Sequence, residues 1–113
     1  MIKNNFKILF CVNSEGTIRC NINHLKFNIS TENEYWIMNE IFGDKLYNFQ
    51  ILYFDRVICI DIGMNIGLAS LYFTLNDNIE KIYVFEPFQE TYKIALKNFN
   101  LNDEKIRSKI IPY

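Results

Sequence analysis

Two kinds of hydrophobic pattern divide the chain. In the second half, Val57-Ile58-Cys59-Ile60-Asp61-Ile62 is apolar apart from Asp61, and Ile82-Tyr83-Val84-Phe85 is apolar throughout. Runs without alternation predict strands of a parallel sheet, covered by helices on both faces. Leu68 to Leu75 predicts an apolar helix between them, and Asn76-Asp77-Asn78 a turn. Glu90 to Phe99 places Tyr92, Ala95, Leu96 and Phe99 on one helical side, and Ile106 to Ile111 predicts a third strand. Residues 56–113 therefore read as β-α-β-α-β, half of a Rossmann-like sheet.

Residues 1–55 are less regular. Phe6 to Val12 and Thr17 to Cys20 bracket a turn, Asn13-Ser14-Glu15-Gly16, and Leu25 to Ile29 alternates as a third short strand. Pairing Val12 with Thr17 would make Cys11 and Cys20 diagonal neighbours on one face, about 7–8 Å apart. That is long for a disulfide, so both read as free thiols, with Cys59 buried in its strand. Thr31-Glu32-Asn33-Glu34 has the form of a capping box. The helix it opens carries Tyr35, Met38, Ile41 and Phe42 on its apolar face, widened by Trp36 and Ile37, and Gly43 is its predicted C-cap. Such an aromatic helix serves either as a lid over a ligand or as a helix packed on a sheet, and packing is the expectation.

Composition narrows the function. The 113 residues hold 50% hydrophobic and 16% aromatic side chains, enough for a folded core. Twelve basic against 13 acidic residues leave a net charge of -1, without the basic excess that non-specific nucleic-acid binding needs. No apolar run approaches the ~20 residues of a membrane span, and Met1 to Phe6 lacks the layout of a signal peptide, so a cytoplasmic protein is expected. Three cysteines, no C-x-x-C and a lone His24 argue against zinc.

The stretch with chemistry is Asp61-Ile62-Gly63-Met64-Asn65-Ile66-Gly67. A glycine directly after a buried strand lets the backbone turn sharply, and the helix start at Gly67 favours an anionic group. Glu86 ends the next strand, where an acid can accept hydrogen bonds from ribose hydroxyls. Phe85, Pro87 and Phe88 surround it with flat surface suited to an adenine. No Lys follows Gly67, which disfavours a triphosphate. Counting from Gly63, Asn65 and Leu68 replace two of the three glycines of a dinucleotide loop, which disfavours a nicotinamide cofactor. S-adenosylmethionine, with an amino-acid end, a ribose and no phosphate, suits two acids beside one glycine loop best.

Residues 57–73 resemble the first motif of FkbM-type methyltransferases, whose loop commonly reads D-x-G-x-N-x-G, and Val84 to Tyr92 resembles the second, with Phe85-Glu86-Pro87. Asn98 and Asn102 match the spaced asparagines that follow in that family. The resemblance covers about residues 50–113. It implies a class I methyltransferase fold, S-adenosylmethionine as donor and a hydroxyl on a sugar or other small metabolite as acceptor. By position, Asp61, Gly63, Asn65 and Gly67 would hold the methionine portion, Glu86 the ribose, and Phe85, Pro87 and Phe88 the adenine. A seven-strand domain would continue past Tyr113, so the chain is expected to be the cofactor-binding half without the acceptor site. No catalytic residue is assigned: the one histidine, His24, lies in the irregular first part, where a role as base is not the expectation.

Three further expectations follow. A Glu86→Ala change should barely affect the fold, because a strand-end acid is not core. Val57 to Ile62 should present a bare sheet edge, so a homodimer or larger assembly is expected. The alternative function is a non-catalytic module that uses the half-sheet to self-associate.

Overall fold

The computed structural model describes residues 8–13, 15–47 and 55–113. Two three-stranded sheets form. Strands β1 (Ile8–Val12), β2 (Ile18–Ile22) and β3 (Leu25–Ile29) make an antiparallel sheet in the order β1-β2-β3. Strands β4 (Val57–Ile62), β5 (Ile79–Phe85) and β6 (Ile110–Pro112) make a parallel sheet in the order β4-β5-β6. Its connections carry α2 (Leu68–Phe73), α3 (Gln89–Asn100) and the short α4 (Glu104–Arg107). The architecture is α/β. Strand β5 starts three residues earlier than its apolar run. The predicted strand from Ile106 is instead the end of α4 followed by a shorter strand, because Asp103 caps that helix by accepting the Ile106 N–H.

The first hairpin pairs Val12 with Ile18, one residue away from the predicted register. Asn13 determines this: its N–H donates to the Thr17 carbonyl, its Oδ1 accepts the Glu15 and Thr17 N–H groups, and Gly16 takes φ 75°. A one-residue slip moves side chains to the other face. Cys11 and Cys20 therefore lie on opposite faces, Cys11 exposed and Cys20 buried, and both are free. Burial pushes the Cys20 thiol up to about 11. Cys59 is free too but only partly buried. The predicted strand start at Phe6 lies outside the described residues.

Thr31 and Glu34 form the predicted capping box at the start of α1 (Glu32–Met38). The helix then widens into a π-helical turn over Asn39–Gly43. That extra residue moves the helix end: Lys45, not Gly43, takes the left-handed conformation at φ 54°, and the Leu46 N–H donates to the Glu40 carbonyl. Met38, Ile41 and Phe42 are buried, whereas Tyr35 and Trp36 are exposed and outside the core. Phe42 stacks on Phe27 of β3 at 5.5 Å and meets Tyr72 of α2 edge-on at 5.5 Å. These rings join the two sheets in one hydrophobic cluster with Ile66, Leu71, Ile82 and Phe99.

The parallel sheet departs from expectation in one respect: β4 is covered on one face only. Successive crossovers in a single direction place the connecting helices on the same side. Cys59 and Asp61 turn partly inward, while Ile58, Ile60 and Ile62 are 60, 66 and 82% exposed. Among the described residues β4 pairs only with β5.

Helix α3 and the turn that follows it grip the outer edge of β3 through Asn98 and Asn102. Asn102 accepts the Lys26 N–H and donates to the Lys26 carbonyl, both at 2.8 Å. Asn98 does the same to Asn28, at 2.8 and 3.4 Å. Four residues along a helix advance about 6 Å, close to the advance of two residues along a strand, about 6.6 Å. Asn98 in the last turn of α3 and Asn102 just past its end thus meet alternate residues of the strand edge, Asn28 and Lys26.

Candidate functional site

The loop after β4 is built by backbone bonds. The N–H groups of Gly63 and Met64 both donate to the Phe85 carbonyl, at 2.8 and 3.0 Å, and the Gly67 N–H returns to Met64 at 2.9 Å. Three of its residues have positive φ: Gly63 at 78°, Asn65 at 54° and Gly67 at 89°. The two glycines serve different ends. A Cβ on Gly63 would meet nothing within 4 Å, so only its conformation demands glycine. A Cβ on Gly67 would lie 2.5 Å from the Phe99 ring, so close packing demands it as well. Asparagine at position 65 fits because its short polar side chain tolerates the left-handed region.

Asp61 ends β4 on its covered face. One carboxylate oxygen accepts the Ser70 hydroxyl at 2.5 Å. Burial pushes its carboxyl above the usual range, and the bond from Ser70 opposes that shift. Beside it lies a cleft of about 230 Å³. Asp61, Gly63, Met64 and Asn65 form one side; Ile37, Glu40, Ile41, Leu46 and Tyr47 form the other. Among the described residues that line it, Asp61 and Glu40 are the only carboxylates, and none is Lys, Arg or His. The helix that reads as packed on a sheet does pack, through Phe42, and its π-helical end also walls this cleft.

Glu86 follows β5 and is part of the framework. Its carboxylate accepts the Asn65 N–H at 3.0 Å with one oxygen and the Phe88 N–H at 3.0 Å with the other. This ties the glycine loop to the start of α3, and it corrects the expectation that the fold is indifferent to this side chain. A carboxylate has about four acceptor positions, so two N–H donors leave room for ligand hydroxyls. Pro87 and Phe88 are exposed, Phe88 at 73%. The Phe85 ring stacks on Tyr113 at 5.3 Å, on the open face of the sheet.

The structure thus gathers Asp61, Gly63 and Asn65 at one cleft and links Glu86 to Asn65, while Gly67 turns to Phe99. His24 is exposed in the β2–β3 turn and does not line the cleft. Glu40, Tyr47 and Ser70 are absent from the sequence reading, since no local pattern marks a residue that reaches the loop only after folding. Among the described residues no group of three or more His, Cys, Asp or Glu side chains is placed to hold a metal ion. No helix among them is long and apolar enough to cross a membrane.

No family model matches the chain. Over 68 residues it is 40% identical to Methyltransferase sdnD of Sordaria araneosa, a match that takes in 60% of this chain and 26% of that protein. The chain spans about a quarter of the length of this curated relative. The comparison supports a methyltransferase relationship.

Proposed function

We propose that the chain is the donor-binding part of an S-adenosylmethionine-dependent methyltransferase of the FkbM type, acting in the whole enzyme on a hydroxyl of a sugar or other small metabolite. In this reading residues 56–113 are the cofactor-binding half of a class I domain, and residues 1–55 precede it and supply one wall of the cleft. The observation that carries the reading is the Asp61–Gly67 loop, bordering an acidic cleft and tied through Asn65 to Glu86. Two acids, with no cation among the described lining residues, favour a ligand with positive charge and disfavour phosphates.

The residues fit such a donor. Asp61 keeps one carboxylate oxygen beyond its bond to Ser70, suited to an ammonium group. Gly63 leaves open space where a side chain would stand. Glu86 has acceptor capacity for ribose hydroxyls, and exposed Pro87 and Phe88 offer a flat apolar surface for an adenine. A bound donor would supply an electrophilic methyl on a sulfonium, for transfer to the acceptor oxygen with the thioether as leaving group and the hydroxyl proton lost to a base or to water. This chain's own contribution is to bind and orient.

The cleft, at about 230 Å³, is smaller than common small-molecule pockets of ~300–1,000 Å³. As part of a donor site, the chain is expected to bind weakly, with Kd ~1 mM, or about -4 kcal/mol. Titration calorimetry with S-adenosylmethionine, S-adenosylhomocysteine and NADH tests the reading. Binding of the first two and loss of affinity in Asp61→Asn support it; preference for NADH overturns it.

A further inference from the structure

We infer that Asn98 is a positioning residue for the ligand loop and that, through it, the amino-terminal sheet and the loop act as one unit. The inference rests on the reading of that loop as a ligand site, but its central claim concerns the loop itself. Asn98 is 1% exposed. Its amide group donates to the Ile66 carbonyl inside the loop at 2.9 Å, while its Oδ1 accepts the Asn28 N–H of β3 at 2.8 Å. One side chain therefore spans the glycine loop and the edge of the other sheet.

The next residue completes the grip. Phe99 packs where a Cβ on Gly67 would stand. Asn98 thus holds the carbonyl side of the Ile66–Gly67 peptide by a hydrogen bond, and Phe99 holds Gly67 by contact. The orientation of that peptide directs the Gly67 N–H to Met64 and sets the turn in which Asn65 lies. Sheet and loop also meet across the cleft, because α1 and its π-helical turn follow β3 directly and supply Ile37, Glu40 and Ile41 to the opposite wall. A shift of β3 relative to α3 would therefore move the α1 side of the cleft relative to the loop, and the bonds of Asn98 to both resist it.

Asn102 provides an internal control. It clasps β3 in the same way, through Lys26, and its amide also reaches the Asn98 carbonyl, but it makes no bond to the loop. A merely structural role predicts equal effects for the two asparagines; a positioning role predicts that they separate.

The test is hydrogen exchange on the full chain, first without ligand. In Asn98→Asp, the amide donor to the Ile66 and Asn28 carbonyls is replaced by an acceptor while the bond from the Asn28 N–H is retained. The Asn65 and Gly67 amides should exchange about tenfold faster than in the matched Asn102→Asp, which loses its donor to the Lys26 and Asn98 carbonyls, within the range for residues that act without touching a ligand. Equal exchange in the two variants overturns the inference whatever the ligand proves to be. In the unmodified chain, saturating S-adenosylhomocysteine should slow exchange of the Asn28 amide, since coupling between loop and sheet is reciprocal. Bound ligand with no change at Asn28 also overturns it, and this arm stands if Asn98→Asp does not fold. Absence of ligand binding refutes the proposed function alone and leaves the ligand-free comparison decisive.

Discussion

Glu86 accepts the backbone N–H of Asn65 at 3.0 Å, so the acid at the end of one strand holds the turn that follows its neighbour. Its other oxygen holds Phe88 at the start of α3, where a negative charge also complements the helix dipole. Glu86→Gln retains one carbonyl acceptor and turns an NH₂ toward the remaining N–H. The expected loss is about 1 kcal/mol of stability, given the partial exposure of both bonds. Urea unfolding should show a lower midpoint at unchanged slope. An unchanged midpoint would mean that water replaces the carboxylate at no cost.

The two loop glycines should respond differently to alanine. Gly63→Ala meets only the left-handed conformation, a cost of about 1–2 kcal/mol. Gly67→Ala meets that cost and the Phe99 ring, adding about 1–3 kcal/mol of overpacking. Combining Gly67→Ala with Phe99→Leu should recover part of the second term, and a double-mutant cycle measures it. Additive losses would contradict the contact.

Asp61 has a definite pH signature. Its carboxyl is raised in the folded chain by burial, so the native state holds the proton more tightly than the unfolded chain does. Between the ordinary carboxylate value and the raised one, each rise in pH therefore lowers stability, and above that window the loss is complete. Asp61→Asn keeps an acceptor for the Ser70 hydroxyl and removes this cost. The variant is expected to be more stable than the parent at pH 7, to lose that advantage in acid, and to bind a cationic ligand less well. Thermal melts at pH 4 and pH 7 decide the first two points; an advantage that grows in acid would reverse the assignment.

The open face of the parallel sheet bears on association. Ile58, Ile60 and Ile62 project from a strand paired on one side only among the described residues, beside the stacked Phe85 and Tyr113 rings. A two-fold axis at the β4 edge, perpendicular to the sheet, would let the strand pair antiparallel with itself in a second copy, satisfying both β4 edges and extending the apolar face. The chain is expected to self-associate with rising concentration, and Ile60→Glu to weaken this without loss of the fold. Light scattering across a dilution series checks it, a concentration-independent monomer being the contrary result.

What the residues determine alone is local. Unbroken apolar runs locate β4 and β5, the Thr31–Glu34 box starts α1, and the glycine spacing places a turn at the end of β4. These follow from side-chain periodicity and backbone freedom, which act over a few neighbours. Register, helix ends and sheet coverage depended on partners distant in sequence. Asn13 moved the first hairpin by one residue and so separated Cys11 from Cys20; the π-helical turn carried the end of α1 past Gly43; and one-directional crossovers left Ile58, Ile60 and Ile62 exposed on a strand that reads as buried. The site divides in the same way. Asp61, the glycines and Glu86 are visible as a motif, but the second use of Glu86, the Ser70 bond and the cleft wall with Glu40 exist only once the chain has closed. Asn98 shows why most clearly: its position on α3 is apparent from the sequence, yet its partners, Asn28 and Ile66, lie 70 and 32 residues away, and only the packed structure brings those backbone groups within reach of one amide.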